Sequence, residues 1–231
     1  MSNEKQDNLG RVMTPLCRFD YVKIFDVRKT AIGSNQELPE DKWAQEMVCL
    51  FPKNLTDPKD VAALQGLRDL VMRAAKQFYP DIDINARKPD GSPAIKLPVL
   101  DGDSYNAQKG GKLPHYIGMN YFTVRSIGRK FHTTPAQIDS AGNIVDIHDK
   151  RELYSGCWGK CMVTIYPNAK GTPPGLNFGL SSMLKIKDDT PLFAGGAGNA
   201  ANDFAELAAD PKNRPNNSQM FESSSQSTLG F

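Results

Sequence analysis

The stretch YSGCWGKCMVTIYP, residues 154–167, decides the fold prediction. Side chains alternate between the two faces of a β-strand, so this stretch predicts a strand with two unlike faces. One face is small and apolar and holds Cys157, Gly159, Cys161, Val163 and Ile165. The opposite face holds Trp158, Lys160, Met162, Thr164 and Tyr166. The strand is therefore expected to cover a core with its first face and to expose its second.

The second face carries an indole, an ammonium group and a phenol. Rings and cations side by side suit a stacked nucleobase and its phosphate. The same spacing also fits an ordinary solvent-exposed strand face on which the lysine stem lies over apolar surface. The spacing alone leaves both interpretations open.

Size, composition and charge place few limits on function. The chain has 231 residues, enough for one large domain or two small ones, and its 19 glycines and 16 prolines are spread along it. Frequent turn residues favour a β-rich fold with long connections. The net charge is +2, with four acidic and two basic residues from position 203 onward, so residues 1–202 carry +4. This mild basicity allows a nucleic-acid partner without requiring one.

The cysteines and the N-terminus indicate a cytoplasmic protein. Cys17, Cys49, Cys157 and Cys161 lie in apolar, strand-like runs without a CxxC pair, which predicts buried free thiols in a reducing compartment. The first ten residues are polar, so no signal peptide is expected. No apolar run approaches 18 residues, so no membrane span is expected.

One long helix and five main strands are predicted. Asp57 is a good N-cap, Pro58 suits the first helical position, and an apolar stripe continues to Phe78, so a helix is expected over about 58–78. Strands are expected over 11–26, 43–52, 115–126, 154–166 and 180–188. The predicted organisation is a disordered arm at 1–10, a binding domain at 11–194 and a flexible, mostly disordered tail at 195–231.

Few residues suggest enzyme chemistry. The three histidines are scattered, and neither a G-x-S-x-G motif nor a phosphate-binding P-loop occurs. Asp101 and Asp103 are the strongest enzymatic candidates, since two carboxylates hold Mg²⁺ in a nuclease or nucleotide-processing enzyme. The Gly between them equally indicates an Asp-Gly turn. No catalytic residue, metal site or cofactor is predicted, and the nuclease is kept as an alternative.

Aromatic and basic side chains form the candidate binding set. The rings are those of Tyr116, Tyr121, Tyr154, Trp158 and Tyr166. The cations are those of Lys112, Arg125, Arg129, Lys130 and Lys160. Stacking of one base on one ring contributes about 1–3 kcal/mol and needs no sequence readout. Each ring taken alone also fits a partly buried core aromatic.

The chain end carries a separate signal. A hydrophobic C-terminal residue after a polar spacer, here Phe231, suits docking in a pocket of a partner protein. An ordinary chain end explains the same residues.

Four motifs occur in a fixed order along the chain. They are LDGDSYN at 100–106, YIGMNYFTVRS at 116–126, ELYSGCWGKCMVTIYPNAKG at 152–171 and GLNFGLSSMLKIKDDTPL at 175–192. In these motifs the chain resembles the tailed-phage single-stranded DNA-binding proteins, over roughly residues 11–207. The YSGC stretch with its aromatic–Gly pair is the most specific part of the resemblance.

The resemblance implies a mainly β fold, an OB-fold-like five-stranded barrel elaborated with one long helix and long loops. It also implies sequence-independent, non-catalytic binding of single-stranded DNA in phage replication or recombination, in the host cytoplasm. Replication or recombination proteins would be partners through the tail, no membrane would be involved, and a homo-oligomer is left open. A virion assembly protein without a nucleic-acid role is a further alternative.

The chain departs from the usual pattern at two points. The long helix is expected after the second strand, whereas the usual OB order places a helix between the third and fourth. The tail keeps a terminal Phe, but Glu222 is the only acidic residue among the last twelve.

Overall fold

The computed structural model describes residues 9–31, 33–168, 171 and 173–192. Within these residues the chain forms nine strands and two α-helices. In chain order these are β1 (Val12–Met13), β2 (Cys17–Arg28), β3 (Ala44–Pro52), α1 (Pro58–Phe78), β4 (Leu100–Asp101), α2 (Gly102–Gln108), β5 (Met119–Ile127), β6 (Ala136–Ile138), β7 (Ile144–Asp146), β8 (Trp158–Asn168) and β9 (Gly175–Lys187).

Five of the described strands close into a ring. β2 pairs with β3, and β3 pairs with β5, both antiparallel. β5 pairs with β9 in parallel, β9 pairs with β8, and β8 returns to β2. The last contact is short, with Cys17 opposite Gly159 and Arg18 opposite Trp158, so the ring is not a regular barrel. This confirms the predicted OB-like, mainly β fold.

The core lies inside the ring and under α1. Phe19, Phe51, Phe122 and Phe178 come from four different ring strands, and each is fully buried. Leu67 and several other residues of α1 pack against them. The four cysteines are buried free thiols, as predicted. Burial of this apolar surface is the main term that stabilises the ring.

Helix α1 has the predicted bounds. The side chain of Asp57 accepts a hydrogen bond from the Lys59 amide at 2.8 Å, which satisfies one of the free amides of the first turn. The helix follows the second ring strand, β3, and precedes the third, β5. The chain therefore has the unusual helix position that its sequence predicts.

Some predicted boundaries are wrong. The strand expected over 11–26 is two strands, because the chain leaves the ladder around Pro15, which has no amide to donate. The strand expected from 115 begins at Met119, since Pro114–Tyr116 forms a 3₁₀ turn. Helix α2 was not predicted: its seven residues begin at the Asp-Gly turn, where the Asp101 side chain accepts from the Ser104 amide at 2.8 Å.

In the deciding stretch, residues 158–167 belong to β8 and their side chains alternate as predicted, whereas residues 154–157 precede the strand. Cys161, Val163 and Ile165 are buried, and the residues between them are half-exposed. Gly159 is required by packing, because a Cβ there would lie 2.6 Å from the Phe19 ring and against the Leu184 carbonyl oxygen.

The predicted N-terminal arm lies almost wholly outside the described residues, and the predicted tail with Phe231 lies entirely outside them. The chain divides into two units, Met1–Leu192 and Phe193–Phe231, and the second is not described. In the described part of the chain, no helix is both long enough and apolar enough to cross a membrane.

Replacing Gly159 with Ala should destabilise the fold. The added methyl group meets backbone and a buried ring, and overpacking of this kind costs about 1–3 kcal/mol. Urea unfolding of Gly159→Ala and of the half-buried Ser182→Ala, as a control on the neighbouring strand, measures the difference. Equal midpoints for Gly159→Ala and the unmodified protein would show that the space at this position is not limiting.

Candidate nucleic-acid interface

A row of neighbouring residues crosses all five ring strands on their outer face. Thr164 on β8 is opposite Gly179 on β9, and Gly179 is opposite Arg125 on β5. Arg125 is in turn opposite Glu46 on β3, and Glu46 is opposite Lys23 on β2. Four inter-strand spacings of about 4.8 Å give this row a length of about 19 Å along the sheet.

An open groove of about 630 Å³ lies at the β8 end of the row. Its walls are formed by residues of β5, β8 and β9 and of the segment after β5, including Arg125, Ile127, Phe131, Thr164, Tyr166 and Ser181. Phe131 is 62 % exposed and Ile127 is 44 % exposed. Gly179 lies in the floor under the Thr164 side chain, where a Cβ would lie 2.5 Å from the Thr164 hydroxyl oxygen.

Tyr166 and Arg125 face each other in this groove. Burial raises the pKa of the Tyr166 phenol, and the positive charge of Arg125 acts against that rise. The guanidinium therefore lies close enough to the phenol to influence it electrostatically. A ring beside a cation is the pairing that binds a base together with its phosphate.

A basic cluster lies at the other end of the row. Lys23, Arg28 and Arg125 surround the single carboxylate of Glu46 at nitrogen–oxygen distances of 3.9, 3.3 and 3.1 Å. Three cations and one anion leave the cluster positive. The cluster lines a second groove of about 620 Å³, together with Thr30 and other residues of the segment after β2. Arg125 lines both grooves, and we call the combined surface the Arg125 groove.

Two further predicted cations lie beside Phe131 at the edge of this surface. Lys130 places its ammonium 4.9 Å from the centre of the Phe131 ring. Arg129 is exposed and forms an ion pair with Glu40 at 2.8 Å. Of the ten predicted binding residues, the structure thus brings Arg125 and Tyr166 together in the groove and sets Arg129 and Lys130 at its border.

Trp158 and Lys160 lie elsewhere on the same strand. Trp158 is eight residues from Tyr166, which at about 3.3 Å per residue corresponds to about 26 Å. Its indole nitrogen donates to the Asp189 carboxylate at 2.7 Å, and the Lys187 ammonium lies 5.1 Å from the ring centre. The Lys160 ammonium forms a mostly buried ion pair with Asp60 at 2.7 Å. The outer face of β8 therefore has different surroundings along its length: Trp158 and Lys160 contact other residues of the protein, and Tyr166 lines the groove.

The predicted tyrosines outside β8 pack into the protein. The Tyr154 hydroxyl donates to the Asp188 carboxylate at 2.8 Å. Tyr116 is 1 % exposed, and its hydroxyl donates to Asp20 at 3.0 Å. Burial, and then the Asp20 charge, raises the pKa of Tyr116 strongly. A base cannot reach this ring unless the local packing opens.

Tyr121 and Lys112 lie on the α2 side of the sheet. The Tyr121 ring is 5.0 Å from that of Tyr105 and 5.2 Å from that of Tyr116, between ring centres. These three rings pack α2 onto β5. Lys112 is exposed four residues after the end of α2. The structure does not bring either residue to the Arg125 groove.

The two candidate metal-binding carboxylates hold a lysine. Asp101 and Asp103 both form ion pairs with the Lys53 ammonium, and Asp101 also caps α2. The hydrogen bond from Lys53, followed by that from the Ser104 amide, lowers the pKa of Asp101 to about 2. Within the described residues, no three His, Cys, Asp or Glu side chains are grouped as metal ligands. The pair joins α2 to β3 through Lys53.

Lys23, Arg28 and Phe131 were not predicted as site residues. Lys23 lies in the first predicted strand, and Arg28 follows its predicted end by two residues. Tyr21 and Phe25 stand two residues to either side of Lys23, and these rings are the signal that could have identified it. Phe131 directly follows Arg129 and Lys130 in the sequence, and this adjacent aromatic is the signal that could have identified it.

An OB-like ring that carries a basic, aromatic groove on its outer face belongs to the class of nucleic-acid-binding β proteins. A family model described as the single-stranded DNA-binding protein of Enterobacter phage Enc34 matches residues 10–213. The chain belongs to this family of phage single-stranded DNA-binding proteins, which are not enzymes.

Solved structures of the bacteriophage Enc34 protein have a similar fold. Its structure in complex with single-stranded DNA is 19 % identical, with a TM-score of 0.54 over 80 % of this chain and 90 % of that chain. A second structure of the Enc34 protein is 18 % identical, with a TM-score of 0.51 over 85 % of this chain and 91 % of that chain. No curated protein sequence matches the chain.

Removing Lys53 should raise the pKa of Asp101 towards its usual range. A carboxyl whose pKa is lowered by folding adds stability above its unfolded-state pKa and loses that contribution as the pH falls towards about 2. In Lys53→Gln this loss below pH 4 should be smaller. Carboxyl titration by NMR, with urea unfolding between pH 2 and 5, measures both effects. An unchanged Asp101 pKa would mean that the Ser104 amide alone lowers it.

Proposed function

We propose that this protein binds single-stranded DNA, without reading its sequence, along the Arg125 groove. The observation that carries the proposal is the continuous outer surface of the Arg125 groove, in which a tyrosine, an exposed phenylalanine and three cations lie along the row that crosses the ring. Membership of the Enc34 single-stranded DNA-binding family supports single-stranded DNA as the ligand. The arrangement of rings and cations supports the Arg125 groove as the place where it binds.

The two ends of the groove suit the two parts of a nucleotide. Tyr166 and the exposed Phe131 offer ring faces, on which a base contributes about 1–3 kcal/mol. Arg125, Lys23 and Arg28 offer positive charge to the phosphates. Two stacked bases and a few phosphate contacts reach about −8 kcal/mol, which corresponds to micromolar affinity. A low overall charge is therefore sufficient.

The groove selects unpaired strands because its rings need access to base faces. In a duplex those faces are covered by neighbouring base pairs, and reaching them costs unstacking energy. In a single strand they are already accessible. Since stacking is available to every base, the protein tolerates any sequence.

The other predicted contacts remain predictions. A DNA contact by Lys160 would require this lysine to leave Asp60, and one by Tyr116 would require its buried ring to become accessible. Contacts by Trp158, Tyr154 and Tyr121 would lie outside the Arg125 groove. Contacts by Arg129 and Lys130 would extend the groove at its edge, and a contact by Lys112 would lie outside it.

Replication or recombination proteins that bind Phe231, a homo-oligomer and a place in the host cytoplasm also belong to this proposal. They concern surfaces and conditions outside the groove itself.

Tyr166→Ala should weaken binding of oligo-dT by about 5-fold to 150-fold, because one stacking ring is lost. Trp158→Ala, at the far end of the same strand, distinguishes the groove from the whole strand face as the site. Fluorescence anisotropy with oligo-dT, and with a duplex as a control, measures both variants. Loss of affinity in Trp158→Ala but not in Tyr166→Ala, with both variants folded, would move the site away from the groove.

Arg125→Gln should reduce the salt dependence of binding. Each lost phosphate contact lowers the slope of log K against log salt by about 0.7 for single strands. Arg73→Gln, which removes an exposed cation from α1, is the matched control and should leave the slope unchanged. Equal slopes in both variants would show that Arg125 does not contact the backbone of the DNA.

A further inference from the structure

Strand β2 contains a bulge that reverses its alternation. Cys17 and Phe19 are buried in the core, and farther along the strand Val22 and Ile24 pack there instead. Regular alternation would have placed residue 21 inside with them. The bulge instead leaves Tyr21 outside, with 43 % of its surface exposed. Bulges near functional sites commonly re-aim a side chain in this way.

The backbone at this bulge is strained. Tyr21 has a φ of +47°, and it is the only residue other than glycine in the described part of the chain with a positive φ. A bulky side chain rarely adopts this left-handed conformation, and such outliers cluster at binding sites.

A buried network holds the strained conformation. Asp20 is fully buried, and its side chain accepts a hydrogen bond from the Tyr21 amide at 2.7 Å. The same carboxylate accepts from the Tyr116 hydroxyl at 3.0 Å and lies 3.2 Å from His115 Nε2. Tyr116 and His115 thereby hold the Asp20 carboxylate, and with it the bulge, in place.

Tyr21 lies between Lys23, which lines the Arg125 groove, and the α2 side of the sheet. Two residues farther along β2, Lys23 ends the row that begins with Thr164 on β8. Burial, and then the charges of Asp20 and Tyr105, raises the pKa of the Tyr21 phenol, so this ring lies against the α2 side of the sheet. The row therefore has Tyr166 near one end and Tyr21 near the other.

We infer that Tyr21 is a second base-stacking platform of this protein. The inference rests on the proposed function. A single strand would cross the ring strands from β8 to β2, with one base on Tyr166, its backbone over Arg125 and Lys23, and a later base on Tyr21. The bulge and the Asp20 network are then the means by which the fold keeps this ring out of its own core.

Two substitutions at residue 21 separate the ring from the backbone. Asn tolerates a left-handed φ, so Tyr21→Asn removes the ring and keeps the bulge. Tyr21→Phe keeps the ring. Anisotropy titrations with oligo-dT should show Tyr21→Asn weakened by about 5-fold to 150-fold and Tyr21→Phe within about twofold of the unmodified protein. The salt slope should be unchanged in both, because no charge is removed.

A photo-cross-linking experiment on the unmodified protein gives a second measurement that does not depend on folding of a variant. Oligo-dT containing 5-iodouracil, irradiated in the complex, should form adducts at both Tyr21 and Tyr166, identified by mass spectrometry.

Met72→Ala, an exposed site on α1, is the control for surface substitutions in the titrations.

The outcomes separate this inference from the proposed function. If Tyr166→Ala and Arg125→Gln lose affinity while Tyr21→Asn binds as tightly as the unmodified protein, only the inference is overturned. An adduct at Tyr166 without one at Tyr21 has the same meaning. If neither Tyr166→Ala nor Arg125→Gln changes binding, the groove itself is wrong as the site.

Discussion

The parallel pairing of β5 with β9 is the constraint on which the site depends. It places Val124 beside Phe178 in the core and Arg125 beside Gly179 on the surface. This contact joins the β2–β3–β5 sheet to the β8–β9 hairpin. Without it, only the short β2–β8 contact would join the strand of Tyr166 to the sheet that carries Arg125. The core face of this strand pair is apolar, and there the Phe122 and Phe178 rings pack edge to face, 5.2 Å apart between ring centres, beneath the groove. Its outer face carries the Arg125 guanidinium.

Glu46 reduces the electrostatic repulsion between the cations of the groove. Three cations in one small area repel one another, and the central carboxylate offsets part of that repulsion before any ligand arrives. Because Glu46 is bonded to Arg28 and Arg125, it also limits the conformations of their long side chains. Preorganised cations lose less conformational entropy on binding a phosphate.

Much of the fold follows from local patterns in the chain. Three features could be predicted because each depends on residues close in sequence: the alternation of β8, the cap and apolar stripe of α1, and the strand-like runs of the ring strands. Helix α2 was not, since its short polar sequence is stabilised by the Asp101 cap and by packing of Tyr105 against Tyr116 and Tyr121. The outward position of Tyr21 could not be predicted either, because it depends on the hydrogen bonds of Asp20 with the Tyr21 amide and with the distant Tyr116 hydroxyl.

The sequence by itself determined the type of fold, the two faces of β8 and the kinds of side chain available for binding. Only the tertiary structure decided which of these side chains meet. Lys160 pairs with Asp60, which is 100 positions away in the sequence. Tyr166 on β8 and Arg125 on β5 line one groove although β9 lies between their strands. Strand register and helix docking are set by how the apolar faces pack, and that depends on the whole chain and not on the neighbours of any one residue.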